Sequence, residues 1–283
     1  MRKLLLFALI CALPASGDDR FKDVEIQALE LAQGVYMLTG SGGNIGVSAG
    51  EDGVLIIDDQ FAPLADRIAA ALKAINPRPV KYLLNTHYHG DHTGGNAEFA
   101  DQATIFAHHN VRLRLAQDSQ LTDAHLPVVT YGDGITIHFN GERLRVVHLP
   151  SGHTDGDSLV RFDQANVVHM GDLFFKDTFP YVDLKGGGSV EGYLNNVTTA
   201  LSWMDDDTRV IPGHGGLATK ADLQNFQKML LDSIRWARKQ PMDASLQQWQ
   251  AAFPESLHSW SWRFITTERW VTTLYEDKAR IHD

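Results

Sequence analysis

Asn85-Thr86-His87-Tyr88-His89-Gly90-Asp91-His92-Thr93-Gly94-Gly95-Asn96 is the stretch from which the rest of this 283-residue chain is best read. It follows directly on Val80-Lys81-Tyr82-Leu83-Leu84, whose apolar and β-branched residues predict a buried strand, and it precedes a short helix predicted over Thr93 to Ala100. Four potential metal ligands, His87, His89, Asp91 and His92, therefore fall within six residues of one strand-end loop. Neighbouring side chains converge on a point only if the chain turns tightly, and Gly90, Gly94 and Gly95 permit such turning. Imidazole with carboxylate suits zinc, and imidazole also suits iron and copper.

Working outward, Val35 to Leu38, Ile45 to Ser48 and Val54 to Asp58 read as short strands separated by glycine turns, after a lead-in segment from 18 to about 34. Leu64, Ile68, Ala71, Leu72 and Ile75 recur at helical spacing until Pro77 and Pro79 stop them, which predicts a crossover helix over Ala62 to Ile75. On the other side, a strand over Ala103 to Ala107 and a helix over His109 to Gln117 continue the β/α alternation. Asn140-Gly141 between Ile135 to Phe139 and Leu144 to Leu149 signals a tight hairpin, and Ser158 to Phe162 with Val167 to Met170 a second one. A helix over Val190 to Met204, a strand over Arg209 to Ile211 and a long helix over Lys220 to Lys239 complete the pattern. Strands followed by β/α units, given twice without a Pro/Ser-rich linker, imply an α/β protein built as one four-layer αββα sandwich over residues 18–283, with a helical segment from about 220 to 283.

Three later strand ends repeat the combination of a potential ligand with glycine: Gly152-His153-Thr154, Gly171-Asp172 and Pro212-Gly213-His214-Gly215. In this order H-x-H-x-D-H, G-H-T, G-D and G-H-G, the chain resembles the metallo-β-lactamase superfamily from roughly residue 35 to residue 220. The resemblance implies two zinc ions. His87, His89 and His153 resemble the ligands of the first, Asp91, His92 and His214 those of the second, and Asp172 the carboxylate between them. It also implies hydrolysis by a hydroxide made available when zinc lowers the pKa of water from about 15.7 to about 7, with Asp91 as the catalytic orienting carboxylate. The sequence departs from the plasmid-borne lactamases, which carry cysteine where Asp172 stands and lack a histidine ligand at position 92. In that respect it is similar to glyoxalase II-like thioesterases and lactonases.

Met1-Arg2-Lys3, the apolar Leu4 to Leu13 and the small residues up to Gly17 predict a signal peptide over 1–17 and a periplasmic or secreted protein. The apolar run is about half the roughly 20 residues that span a bilayer, so no membrane attachment is expected after cleavage. Cleavage after Gly17 removes Cys11, the sole cysteine, and moves the formal charge from −10 to −12 because Arg2 and Lys3 leave. Disulfides are thereby excluded, and the acidic balance without a Lys/Arg cluster argues against nucleic acid as a partner. A small-molecule substrate is expected instead. The remaining eight histidines (His108, His109, His125, His138, His148, His169, His258 and His282) read as structural or surface residues.

Asp58, at a strand end, is either an acceptor for the free N–H of a ligand histidine or a turn carboxylate, and Asp59 shares both readings. Lys176 reads either as an ammonium near the metals that holds a substrate carboxylate or as a solvated lysine. Phe61 and Phe175 read as substrate-binding walls or as core, Tyr193 as an oxyanion donor or a helix residue, and Gly186 to Gly188 as a mobile loop. An exported enzyme makes a β-lactam the first substrate to test, with a lactone or a glutathione-type thioester as the alternative and iron-dependent redox chemistry on the same fold as the third reading. The sequence leaves open the acyl bond, zinc against iron, the oligomeric state, and the role of the Trp260, Trp262 and Trp270 segment.

Overall fold

The computed structural model describes residues 19–282, so the signal peptide expected over 1–17 lies outside the described residues. In chain order the elements are β1 (Gln27–Ala32), β2 (Val35–Thr39), β3 (Ile45–Gly50), β4 (Gly53–Ile57), α1 (Ala65–Ile75), β5 (Val80–Leu84), α2 (Gly90–Thr93), α3 (Asn96–Phe99), β6 (Thr104–His108), α4 (His109–Leu115), β7 (Val129–Tyr131), β8 (Gly134–Phe139), β9 (Glu142–His148), β10 (Ser158–Phe162), β11 (Val167–His169), α5 (Val190–Leu201), β12 (Arg209–Ile211), β13 (Ala218–Thr219), α6 (Lys220–Arg238), α7 (Leu246–Ala252) and α8 (Thr267–His282). Strands β1 to β7 form one sheet in sequence order, antiparallel as far as β4 and parallel from β4 to β7. The second sheet runs β13-β12-β11-β10-β9-β8, and only its β11–β12 pair is parallel.

Strand β4 shows why the layers stack. Its side chains alternate between faces, and both faces are apolar: Val54 and Ile56 pack outward with Leu64, Ile68 and Leu72 of the α1 region, while Leu55 and Ile57 pack inward against Leu144, Val146, Val160 and Ile211 of the second sheet. On the far side, Leu159, Val168 and Val210 meet Tyr193 and Val197 of α5, Phe226 and Leu230 of α6 and Trp270 of α8. Each such buried side chain contributes about 1.5–3 kcal/mol. The result is the helix, sheet, sheet, helix order that the alternation of elements predicts. The C-terminal helices belong to the same core cluster as the second sheet, and among the described residues no helix is long and apolar enough to cross a membrane.

Three local readings are corrected. The lead-in segment contains β1, which escapes pattern recognition because it is an edge strand with four consecutive exposed residues and hence no alternation. The helix expected over Thr93 to Ala100 is instead the pair α2 and α3, broken at Gly94-Gly95, where an added Cβ would lie 2.5 Å from Gly90 O and 2.9 Å from Asp59 O. Gly90 itself opens α2 with open space where a side chain would be, so no close approach requires glycine there, while the neighbouring loop after β4 carries the left-handed residues Asp58 (φ 64°) and Gln60 (φ 59°). At the other predicted turn, Asn140 (φ 55°) and Gly141 (φ 76°) adopt the left-handed pair that joins β8 to β9.

Candidate metal centre

Five strand ends converge at one rim of the sandwich. Asp58 follows β4, His87 and His89 follow β5, His153 lies between β9 and β10, Asp172 follows β11, and His214 follows β12. Helix α2 carries Asp91 and His92. Potential ligand atoms of His87, His89, His153 and Asp172 lie within 4.8 Å of one another, as do those of Asp91, His92 and His214.

Asp172 joins the two groups. Its Oδ1 is 3.0 Å from His92 Nε2 and 3.2 Å from His214 Nε2, and its Oδ2 is 3.5 Å from His153 Nε2 and 3.8 Å from His87 Nε2. Asp91 Oδ2 lies 3.3 Å from His214 Nε2 and 3.8 Å from His92 Nε2. A cation is what this arrangement fits. Among buried polar atoms, His87 Nε2, His92 Nε2 and Asp172 Oδ1 have no hydrogen-bond partner, a costly state for the apo protein that coordination relieves.

The outer nitrogens of four of the histidines explain why their inner ones are free. His92 Nδ1 donates to Asp58 Oδ2 at 2.7 Å, and His153 Nδ1 donates to Tyr181 O at 2.8 Å. Thr86 spends its hydroxyl proton on Asp58 Oδ2 and so accepts from His87 Nδ1 at 3.0 Å. His89 is turned the other way, with Nε2 donating to Asp183 Oδ2 at 3.1 Å and Nδ1 inward, 2.8 Å from His153 Nε2. These partners fix tautomer and ring orientation together. Asp58 is itself held by Thr86 N at 2.7 Å.

Electrostatics favour the ligand forms of His87, His153 and Asp172. The carboxylates draw protons to the other group, and against the opposing effect of burial Asp172 and Asp91 take His214 up to about 9. Burial pushes His87 well below the usual imidazole range, with His92 and His153 adding to it, and burial takes His153 down to about 3, so both are neutral at pH 7. Burial would raise the Asp172 carboxyl, but His214 and His92 hold it well below the usual carboxylate range. Burial would likewise lower His92, yet the carboxylates of Asp172, Asp91 and Asp58 outweigh it and raise its affinity for a proton. Negative charge is thus concentrated where cations would bind. The backbone is drawn in to match: a Cβ on Gly43 would lie 2.2 Å from His92 Cε1, and one on Gly213 would lie 2.1 Å from Asp172 Oδ1.

The other candidate residues separate. Phe61 and Phe175 line a cavity of about 910 Å³ that opens over His89, Asp91, Asp172 and His214. Lys176 does not: its Nζ donates to Leu217 O at 2.9 Å and pairs with Asp222 at 3.5 Å, because the chain after Asp172 bridges to His214 and carries residue 176 past the site. Tyr193 is fully buried and donates to the backbone carbonyl of Asp172 at 2.5 Å, which removes it as an oxyanion donor. Asp59 accepts from Gly95 N at 2.9 Å and braces the loop. The expected mobile loop at Gly186 to Gly188 is packed: Gly186 N and Gly188 N donate to Asp183, and Asp155 N donates to Gly186 O. Sequence reasoning missed Asp183, which accepts from both Tyr88 and His89, and the only signal for it is an acid placed just before that glycine run.

Residues 38–214 match the family model of the metallo-beta-lactamase superfamily, and the chain belongs to that superfamily. It is 29% identical over 170 residues to the 2,4-dinitroanisole O-demethylase subunit alpha of Nocardioides sp. (strain JS1661), covering 58% of this chain and 50% of that one. It is 30% identical over 156 residues to a hydroxyacylglutathione hydrolase of Nitrosococcus oceani, covering 54% and 55%. The chain thus spans about half the length of these curated relatives. Among solved structures, a metallo-beta-lactamase from Pontibacter korlensis superposes with a TM-score of 0.65 over 74% of this chain and 100% of that one, at 18% identity, a likeness of fold.

Proposed function

We propose that the chain is an exported hydrolase that holds two zinc ions and opens an activated acyl bond with water. The observation that carries the reading is the convergence of six ligand side chains around a seventh, Asp172, with three buried ligand atoms left without partners. His87, His89 and His153 would hold one ion, Asp91, His92 and His214 the other, and Asp172 would lie between them. When bound, zinc supplies a Lewis acid and brings the pKa of water toward about 7.

The chain's own residues do the rest. Asp91 is partly exposed to the cleft, with its Oδ2 3.3 Å from His214, where it can accept a proton from water and orient the remaining lone pair. Asp58, Thr86, Asp183 and the Tyr181 carbonyl keep the imidazoles of His92, His87, His89 and His153 aimed inward, Phe175 stacks on His214, and Phe175 and Tyr181 limit water at the acyl carbon. Export, if it occurs, places the enzyme where β-lactams act, which makes them the first substrate to try. A lactone or thioester is the second reading, favoured by the carboxylate at position 172 and by the likeness to a hydroxyacylglutathione hydrolase.

The test is metal analysis of protein purified without added metal, followed by rates on a cephalosporin, an acyl lactone and a glutathione thioester. His153→Ala and Asp172→Ala should lower zinc content and hydrolysis together. Stoichiometric iron with oxygen consumption, or two bound zinc ions with no turnover of any acyl substrate, would sink the proposal.

A further inference from the structure

The cleft above the metal centre is lined on two sides by segments outside the ligand motifs. On one side Phe21 and Phe61 pack with ring centroids 5.1 Å apart. On the other, Trp262 and Phe264 of the segment before α8 meet Phe175 and Tyr181 at centroid distances of 6.2 and 5.8 Å. That second wall is pre-formed. Trp262 Nε1 donates to Phe179 O at 2.9 Å, Phe179 N donates to Trp260 O at 2.7 Å, and Arg269 Nη1 donates to Phe264 O at 2.6 Å while its guanidinium lies 5.0 Å from the Phe264 ring centroid. The floor is also partly aromatic, since Phe175 stacks on His214 at 4.8 Å and 21°.

Two guanidiniums share this lining, Arg20 and Arg263. Both are exposed, and neither has a carboxylate or hydrogen-bond partner among the described residues. Five other arginines in this chain of net charge −10 are paired with carboxylates, Arg114 with Asp155, Arg143 and Arg145 with Asp163, Arg238 with Glu191 and Arg280 with Asp277, whereas Arg20 and Arg263 face the cleft. Arg20 is set over the Phe21 and Phe61 rings, 4.3 and 4.7 Å from their centroids, which orders the guanidinium, and its N–H groups meet no acceptor among the described residues. The cleft therefore offers aromatic walls, a floor of metal-ligating groups, and unpaired planar donors suited to a carboxylate.

We infer that the substrate couples its scissile acyl group to an apolar body and a carboxylate, the body lying between the Phe61 and Trp262–Phe264 walls and the carboxylate taken by Arg20 and Arg263. This rests on the hydrolase reading for the word substrate, though not for the binding. Both arginines are specificity-determining positions; neither is placed at the reacting atoms.

The test is calorimetric titration of the zinc-loaded protein with 6-phenylhexanoate and with 6-phenylhexanamide, which share the apolar body and differ in charge. The acid should bind roughly fivefold or more tightly than the amide, as expected for a guanidinium fork at a partly exposed site. Arg20→Gln combined with Arg263→Gln should bring the ratio near one with amide binding unchanged, and Lys176→Gln should leave the ratio intact. A ratio of one in the parent, a ratio that survives in the double variant because the metals hold the carboxylate, or binding of neither probe would each overturn the inference. Binding is read without turnover, so an intact ratio in a protein that hydrolyses nothing sinks only the hydrolase reading. Hydrolysis with a ratio of one sinks only this inference.

Discussion

Replacing Asp58 separates the scaffold of the centre from its ligands. The carboxylate is fully buried and accepts three hydrogen bonds, from Thr86 N, Thr86 Oγ1 and His92 Nδ1, each at 2.7 Å. Asp58→Ala leaves three buried donors unmatched at about 1–3 kcal/mol each, a loss comparable with the roughly 5–15 kcal/mol that holds a domain folded, so that variant mainly reports on folding. Asp58→Asn is the sharper test. One of its two terminal atoms becomes an NH₂ group: on the Oδ1 side it confronts Thr86 N–H, and on the Oδ2 side it confronts His92 Nδ1–H. In the second case relief comes from the other His92 tautomer, which puts a proton on Nε2 and removes the lone pair that faces Asp172. Zinc affinity at the His92 group should fall about 10–100-fold, or roughly 1.4–2.7 kcal/mol, with the His87, His89 and His153 group less affected. Competition against a chromogenic chelator measures both affinities, and circular dichroism confirms the fold. Two zinc ions held as tightly as in the parent would refute the claim that Asp58 sets the His92 tautomer.

Gly213→Ala should lower zinc content and cost about 1–3 kcal/mol of stability, because its Cβ would sit 2.1 Å from Asp172 Oδ1 and 2.6 Å from Gly171 O; full zinc occupancy in that variant would contradict the packing argument. Away from the centre, His108 stacks on His148 at 3.6 Å and 7°, and burial with the nearby His148 and His109 takes its pKa down to about 4. An unfolded histidine titrates near 6.5, so the unfolded chain binds more protons between these values. The stability contributed by the neutral stack should be present above about pH 6.5 and lost as pH falls toward 4. Thermal melts of the parent and His108→Phe across that window check this: the variant should show the shallower pH dependence, and parallel curves would count against it.

Much of this was legible because strong local rules and the global fold agree. Strand β4 reads as a continuous apolar run since both of its faces are covered, and the ligands read clearly because they cluster in glycine-containing segments that follow strands. What escaped has a common physical origin. Strand β1 is specified by pairing with β2 rather than by its own burial pattern, and the α2–α3 break is set by backbone approaching backbone at Gly94. Asp183 acts across 94 residues of sequence on His89, and no local spacing encodes a partner that distant. Lys176 could be read two ways for the complementary reason: four residues after Asp172 is close along the chain, but the bridge between Phe175 and His214 turns its side chain to Asp222, away from the cleft. The aromatic and arginine lining of the cleft is assembled from opposite ends of the described chain, and its logic exists only in three dimensions.

Asp172 stands in the second sheet's half of the molecule, while four of the side chains around it arrive from the first. An ion coordinated there would be a cross-link between the two halves that the unfolded chain cannot reproduce. Each site would then add RT ln(1 + [L]/Kd) to the free energy of unfolding, about 2.7 kcal/mol at a free metal concentration one hundred times Kd. The melting temperature becomes a gauge of the surrounding metal concentration, and scarcity of metal would be felt by the fold as well as by the chemistry.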